Sequence, residues 1–235
     1  MIYLSMDIET TGLEYEKYQI LSIGAILEDT NNPLSFEESP KFHCAILHNE
    51  LTGSPFALNM NKRIIEGIAA YQDAKDQSAK DFVEYTYNMK FFHPDDVVKE
   101  FYYFLHDNGL VKEDMLDGSN YFEGRNKKMY PMITSKTKSV SINVAGKNFG
   151  TFDKLFLERL PRWKQVIKVK QRIIDPAVLF MDWKSDPHLP NLTECKERAG
   201  IEGSVTHDAL EDAWDVIQIL RKFYVNEQYD KGAKF

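Results

Sequence analysis

The first part of the chain alternates between short apolar runs and turn residues, a pattern typical of β-strands. It predicts three strands, at residues 2–8, 19–27 and 41–47. Residues 29–40 contain Asn-Asn-Pro and Ser-Pro, which suit the connection between the second and third strands. Three early strands joined by turns predict an antiparallel meander.

From about residue 59 the apolar residues recur at helical spacing, which predicts one helix there and another at residues 95–107. The intervening residues 71–93 are polar and weakly periodic.

The second half of the chain alternates between strand and helix patterns. A fourth strand is predicted at residues 140–145 and a short fifth strand at 173–176, where a helix then starts. Further helices are predicted at residues 191–199 and 208–223. Since no internal repeat and no linker divides residues 1–235, we expect one domain. The pattern predicts an α/β fold with a mixed five-stranded sheet flanked by helices.

The composition is that of a globular protein. The chain has 235 residues and a mass of 27.3 kDa, and 43% of its residues are hydrophobic, which is enough for a sizeable core. Cys44 and Cys195 form neither a disulfide framework nor a Cys-x-x-Cys motif, so we expect a reducing, cytoplasmic environment. No apolar run approaches the ~18–20 residues of a membrane helix, and Met1 leads directly into a strand. We therefore expect a soluble, unprocessed protein without a membrane partner.

The charge is distributed unevenly along the chain. The formal net charge is −7, from 29 basic and 36 acidic residues. Residues 121–172 alone carry +10, from thirteen basic and three acidic residues, so the remainder carries −17. Such a basic block is either a solvated surface or a face that contacts phosphates.

Two carboxylates lie at the end of the first predicted strand, in the motif Asp7-Ile8-Glu9-Thr10-Thr11-Gly12-Leu13. Residues two apart on a strand point to the same face, so Asp7 and Glu9 are expected side by side. Like charges this close repel each other unless a cation lies between them, and oxygen ligands suit Mg²⁺ or Mn²⁺. The alternative is that the two carboxylates only cap a turn.

A histidine and a carboxylate mark the start of the last predicted helix. Asp208 followed by Glu211 is typical of a capping pair, which leaves His207 just outside the helix. Asp212 then lies in the first turn, where the helix dipole favours a carboxylate. The alternative for His207 is an ordinary surface or core histidine.

A third candidate, Asp153, follows the fourth predicted strand inside the basic block. With Thr151 as the N-cap, Asp153 would be the second residue of a helix, near the carboxyl end of the strand, where ligands bind in α/β sheets. The alternative is a carboxylate that only stabilises the helix dipole.

The order of these motifs resembles the DEDDh group of 3′→5′ exonucleases, which contains polymerase proofreading subunits, ribonuclease T and oligoribonuclease. The resemblance extends over residues 2–220 and consists of Asp-x-Glu-Thr-Thr-Gly-Leu, Asn-x₄-Asp and His-x₄-Asp. It implies a ribonuclease H-like sheet with three antiparallel strands followed by parallel ones. Compared with a compact member of this group, the chain is expected to carry insertions at residues 71–93 and 114–138. It also implies hydrolysis of phosphodiester bonds from a 3′ end with release of nucleoside 5′-monophosphates.

The resemblance assigns roles to nine residues. It implies two divalent metal ions, Mg²⁺ or Mn²⁺, held by the four carboxylates of Asp7, Glu9, Asp153 and Asp212. His207 corresponds to a mobile general base. The positions that contact the terminal nucleotide correspond to Thr10, Leu13, Asn148 and Phe152.

The expected substrate is the 3′ end of a single-stranded nucleic acid, with DNA favoured over RNA. Phe149, Phe152 and Trp163 are candidates for base stacking, unless they belong to the core. Three alternatives stay open: an exoribonuclease or oligoribonuclease, a nucleic-acid-binding module without activity, and a phosphoesterase of small nucleotides. Because some relatives are dimers and others are polymerase subunits, a homodimer or a polymerase partner is compatible with the resemblance.

Overall fold

The computed structural model describes residues 1–112, 115–116, 121–123 and 129–225 of the 235-residue chain. Part of the insertion predicted at residues 114–138 lies outside the described residues. So do three cations of the basic block, Arg125, Lys127 and Lys128.

A mixed sheet forms the centre of the fold. Its three long strands are β1 (Ile2–Thr10), β2 (Ile20–Asp29) and β3 (Lys41–Ile46), which form the predicted antiparallel meander. The short strands β4 (Lys90–Phe92) and β8 (Val144–Ala145) pair in parallel with β3 and β1 respectively. The strand order β4-β3-β2-β1-β8 confirms the predicted mixed five-stranded sheet.

The fifth strand of this sheet is not the predicted one. β4 lies within residues 71–93, and its three residues are too few to give a periodic signal. The strand predicted at 173–176 contributes a single bridge, between Ala145 and Ile174. It ends there because Asp175 caps a 3₁₀ helix, Pro176–Leu179, whose proline has no N–H to donate to a strand.

The strand predicted at residues 140–145 is divided in two. Its first half, β7 (Val140–Ile142), pairs in parallel with β9 (Ile167–Val169) in a separate two-stranded sheet. Asn143 lies between β7 and β8, and its side chain donates a 2.9 Å hydrogen bond to the carbonyl of Ile2. A small antiparallel hairpin consists of β5 (Tyr121–Glu123) and β6 (Met129–Pro131).

Eight α-helices flank the sheets in the described part of the chain. They are α1 (Pro55–Met60), α2 (Lys62–Asp73), α3 (Gln77–Tyr87), α4 (Pro94–Asp107), α5 (Asp153–Leu157), α6 (Trp163–Val166), α7 (Leu192–Arg198) and α8 (Ala209–Tyr224). α2, α4, α5, α7 and α8 correspond to predicted helices, whereas α3 lies in the interval predicted as an insertion. Within the described residues, no helix combines the length and the apolar character that spanning a bilayer requires.

Alternate side chains of β1 point to opposite faces of the sheet. Leu4, Met6 and Ile8 are buried in the largest core cluster, which includes the apolar side of α4. Tyr3 packs on the other face, in a cluster with the buried side of α8. Ser5 lies on that face too, and its hydroxyl donates a 2.6 Å hydrogen bond to the carbonyl of Ala213. α8 therefore covers the half of β1 that precedes Asp7.

A buried ion pair holds the carboxyl-terminal half of α8 on the sheet. Arg221 donates two hydrogen bonds to Glu28 of β2, from Nε at 2.9 Å and from the terminal nitrogen at 2.6 Å. The Tyr224 hydroxyl donates a third to the same carboxylate, at 2.7 Å. Because Glu28 is fully buried, these donors replace the water that its charge would otherwise need.

The amino-terminal end of α8 is held by close contact of two backbones. Gly24 of β2 pairs with Asp7 and lies directly under the first residues of the helix. A Cβ at Gly24 would lie 2.3 Å from the carbonyl atoms of Ala209 and 2.4 Å from the nitrogen of Leu210. Only glycine permits this approach, which fixes the height of the helix start above the sheet.

We expect Gly24→Ala to destabilise the fold by about 1–3 kcal/mol, because the helix backbone cannot move aside as a flexible side chain can. Urea unfolding followed by circular dichroism measures the change in the free energy of unfolding. Gly150→Ala is the matched control, since its added methyl would meet only Cδ1 of Ile173, at 3.0 Å. Equal stability of the two variants would contradict the close approach.

Candidate active site

β1 presents two carboxylates on the face of the sheet where α8 begins. Ile8 is buried in the core between them, so Asp7 and Glu9 share the opposite face, as the strand pattern predicts. Glu9 is only 6% exposed, whereas Asp7 is partly accessible. Their partners on β2 are the small residues Gly24 and Ser22, and the start of α8 lies directly over Gly24.

The start of α8 has the predicted organisation. Oδ1 of Asp208 accepts hydrogen bonds from the backbone N–H groups of Leu210 and Glu211, at 3.0 and 3.2 Å, so Asp208 is the N-cap. His207 lies just outside the helix, exposed, with a left-handed φ of +55°. Asp212 lies in the first turn and is buried.

Asp153 lies at the start of α5, one position nearer the helix start than predicted. The N-cap is Phe152 and not Thr151, so Asp153 is the first helical residue. Its Oδ1 accepts a 3.1 Å hydrogen bond from the backbone N–H of Ile8, and the side chain is 3% exposed. This bond ties α5 to β1 beyond the end of β8 and brings Asp153 to the pair on β1.

The side chains of Glu9, His207 and Asp212 converge. One ligand atom from each lies within 4.8 Å of the other two. Oδ1 of Asp212 is buried and has no hydrogen-bond partner among the described residues. A buried carboxylate oxygen is costly when unpaired, and the chemistry of this set fits a hard divalent cation. These residues can therefore hold a metal ion.

Burial raises the pKa of all four carboxyl groups. The pKa of Glu9 is raised to about 8, and those of Asp153 and Asp212 to about 7, with loss of hydration as the largest cause in each. The pKa of Asp7 is raised well above its ordinary value, first by burial and then by the charges of Asp153 and Asp212. A cation among these groups would favour their ionised forms and relieve the repulsion.

Among known proteins, no family model and no curated sequence matches the chain, but solved nuclease structures do. E. coli Exonuclease I in complex with a 5cy-dT13 oligonucleotide matches 96% of this chain and 41% of that chain, at 14% identity and a TM-score of 0.51. Cell-death related nuclease 4 (CRN-4) matches 94% and 62%, at 13% identity and 0.52. A zinc-bound E. coli ExoI–ssDNA complex matches 95% and 40%, at 16% identity and 0.50.

The chain has the fold of these nucleases. The ribonuclease H-like α/β fold that the sequence resemblance implies is thereby confirmed. The chain spans about two fifths of the length of the Exonuclease I chains that it matches.

The four residues expected to contact a nucleotide have different surroundings. The Thr10 side chain is buried, and its hydroxyl donates to the carbonyl of Gly12 at 2.8 Å. Leu13 is 82% exposed just beyond this turn. Asn148 is exposed with φ at +59°, and its N–H donates to Asp175. Phe152 is half-buried.

Two of the three aromatic candidates for base stacking are core residues. Trp163 is 2% exposed and stacks on Phe101, with ring centroids 5.5 Å apart. Phe149 is fully buried in the same cluster. The stacking role is therefore wrong for Trp163 and Phe149, because both rings are buried in the core and cannot contact a base. Phe152 stays a candidate.

The sequence motifs did not point to Asn61, a buried residue at the start of α2. Its Nδ2 donates to the carbonyl of Thr10 at 3.2 Å. Its amide also lowers the pKa of Glu9, which partly offsets the effect of burial. A single asparagine in a helical pattern carries no signal that would have identified it.

A buried ion pair lies one helical turn after Asp212 on α8. Nζ of Lys196 on α7 lies 2.6 Å from Oδ2 of Asp215, which is one turn after Asp212 on α8. The positive charge of Lys196 lowers the pKa of Asp212, against the larger effect of burial. The sequence offered one weak signal, a second carboxylate at helical spacing from Asp212.

We expect the metal-free protein to lose stability as the pH rises from about 5 to about 8.5. Glu9, Asp153 and Asp212 have folded pKa values of about 7 to 8, above their ordinary values. The folded state therefore binds more protons than the unfolded state in this window, and stability falls as they are released. Thermal unfolding in EDTA measures the trend.

Mg²⁺ should raise the melting temperature most at the upper end of this pH range, because it stabilises the ionised carboxylates. Glu9→Gln should flatten the pH dependence in EDTA, since it removes one of the titrating groups. A melting temperature that rises with pH in EDTA would contradict the buried, protonated cluster.

We expect Lys196→Met to destabilise the protein by about 3–5 kcal/mol, because it leaves Asp215 as a buried charge without its partner. Urea unfolding gives the free energy. The double variant Lys196→Met/Asp215→Leu should recover most of the loss, since neither charge then remains. If the single variant is as stable as the wild type, the pair does not support the helix.

Proposed function

We propose that the protein is a 3′→5′ exonuclease that hydrolyses phosphodiester bonds of single-stranded nucleic acid, with DNA favoured, and releases nucleoside 5′-monophosphates. The observation that carries this proposal is the convergence of four carboxylates and a histidine from three distant parts of the chain. They are Asp7, Glu9, Asp153, His207 and Asp212. The fold shared with Exonuclease I and CRN-4 supports it.

The proposal includes two divalent metal ions, Mg²⁺ or Mn²⁺, held by the four carboxylates. Bound ions of this kind activate a water molecule and stabilise charge on the leaving 3′ oxygen. The charges of Asp153, Asp212 and Glu9 all raise the pKa of Asp7, which supports Asp7 as the best candidate for a shared ligand. The zinc-bound Exonuclease I complex supports a metal centre on this fold.

His207 is the proposed general base. Its ring nitrogen lies close to Glu9 and Asp212, where it can accept a proton from the attacking water. Histidine exchanges protons near neutral pH, which suits this role. The loop before it contains Gly200 and Gly203, both with positive φ, and His207 adopts the same left-handed region. Its exposed position outside α8 leaves its side chain free to reorient.

The 3′-terminal nucleotide is proposed to lie against Thr10, Leu13, Asn148 and Phe152. Leu13 supports this placement because a highly exposed leucine beside a polar site can pack against a base. Phe152 is the N-cap of the helix that begins at Asp153, and its N–H donates to the carbonyl of Asn148, which supports a place for both residues near Asp153.

Other parts of the proposal concern the whole protein. We propose one domain over residues 1–235 and a cytoplasmic location, which two buried free thiols support. A homodimer or a polymerase partner stays compatible with it. A module without activity is disfavoured because all five residues are present. RNA ends and small nucleotides remain competing substrates.

End-labelled substrates distinguish these possibilities. The protein is incubated with Mg²⁺ or Mn²⁺ and single-stranded DNA, duplex DNA, single-stranded RNA or a small phosphodiester. We expect single nucleoside 5′-monophosphates from the 3′ end of single-stranded DNA, at a higher kcat/KM than from RNA. Internal cuts would refute the exonuclease, and full turnover in EDTA would refute the metal mechanism.

Neighbouring residues of α8 provide a matched pair of variants. Asp212→Asn removes a proposed ligand and should abolish turnover, whereas Glu211→Gln changes an exposed carboxylate on the same turn and should not. His207→Ala should lower kcat by about 10²–10⁴-fold through loss of the base. Steady-state release of mononucleotides measures each variant. Equal activity of Asp212→Asn and Glu211→Gln would remove Asp212 from the mechanism.

A further inference from the structure

Three exposed cations lie on β9 and on the segment that follows it. Ile167, Val169 and Ile173 pack against the largest core cluster. Between them lie the exposed Gln171 and three exposed cations, Lys168, Lys170 and Arg172. We call these three cations the β9 basic row. β9 ends at Val169 and the chain bends at Gln171, so the row is a short group of positive charges on one segment of the surface.

The β9 basic row is unpaired, unlike other cations of the basic block. Lys154 and Lys164 both lie within 4 Å of Glu158, and Lys147 lies 3.9 Å from Asp175. Arg162 donates to the carbonyl of Ile133. Within the described part of the chain, no member of the row has an acidic partner. The excess positive charge of the block is therefore available to a ligand along this strand.

β9 pairs with β7 in the separate two-stranded sheet, and a single bridge joins the segment after β9 to β8, the neighbour of β1. The N–H of Lys170 donates to the carbonyl of Ile142, and Ile174 pairs with Ala145, whose neighbour on β1 is Ser5. Lys168 pairs with Ser141, four residues before Ala145, so it lies about 22 Å from Asp7 at ~3.3 Å per residue and ~4.8 Å per strand. Arg172 lies between Val169 and Ile174 and is therefore nearer to Asp7. A terminal nucleotide at Asp7 does not reach the row, whereas a strand of a dozen nucleotides does.

We propose that the β9 basic row binds the phosphate backbone of a single-stranded nucleic acid whose 3′ end occupies the active site. This placement of the 3′ end rests on the proposed function. A short group of separate charges with no exposed apolar residue between them suits an extended polyanion. It does not suit a membrane surface, which is recognised by larger clusters of cations and by apolar side chains that insert.

Binding of labelled dT13 tests the row without any need for cleavage. Fluorescence anisotropy in EDTA compares the wild type with the triple variant Lys168→Gln/Lys170→Gln/Arg172→Gln. We expect the dissociation constant to rise roughly tenfold or more at low salt, and the slope of log affinity against log salt to fall by about 2. The control is Lys75→Gln/Lys112→Gln/Lys184→Gln, which removes the same charge from exposed lysines elsewhere.

Cleavage assays then separate the row from the active site. As a second substrate we use a dinucleotide, which does not reach the row. In the triple variant of the row, we expect a higher KM for dT13 and an unchanged kcat/KM for the dinucleotide. If the wild type cleaves no substrate but dT13 binding still falls in the triple variant, phosphate binding by the row is supported and the proposed exonuclease activity is refuted. If cleavage is confirmed but the variant of the β9 basic row binds dT13 as tightly as the Lys75/Lys112/Lys184 control does, the proposed role of the row is refuted.

Lysines on an edge strand also protect proteins against edge-to-edge association. If the triple variant aggregates on size-exclusion chromatography while its monomer keeps wild-type affinity for dT13, the row is an edge protection and the proposal is overturned. Loss of binding to phosphatidylserine vesicles with unchanged dT13 binding would also overturn it. A monomeric variant with weakened dT13 binding supports the proposal.

Discussion

The close contact between Gly24 and the first residues of α8 is the constraint on which the site depends. It sets how near the helix start lies to the sheet, and the helix start carries His207, Asp208 and Asp212. A helix raised by the width of one methyl group would separate Asp212 from Glu9 on β1. The motif residues are therefore not sufficient for the site, because a glycine on a neighbouring strand determines whether they meet.

The site keeps four carboxyl groups where both burial and mutual repulsion oppose their ionisation. This arrangement lowers the stability of the fold, and other contacts of α8 offset the loss. Ser5 and the Arg221–Glu28 pair fix α8 to the sheet, and the Lys196–Asp215 pair fixes it to α7. The contacts of the later turns of α8 thus hold its first turn over the sheet. There the buried Oδ1 of Asp212 has no partner among the described residues and suits a cation.

Local chemistry explains what the sequence could predict. The meander, the capped start of α8 and the shared face of Asp7 and Glu9 follow from periodicity and capping, which act over a few residues. β4 and the division of residues 140–145 depend on pairing between distant segments, so no local pattern revealed them. Trp163 was ambiguous for the same reason: only the position of Phe101 on α4 shows that the indole fills the core.

The proposed metal centre and the proposed phosphate contacts place opposite requirements on the charge of one small region. A metal centre needs concentrated negative charge, whereas a phosphodiester backbone is repelled by it. The carboxylates lie at the carboxyl end of β1, whereas the unpaired cations lie on β9 and the segment after it. At ~10 Å screening length, each region would act on a bound strand largely independently of the other. The total charge of −7 is thus an average over two surfaces of opposite sign, and it says little about an anionic ligand.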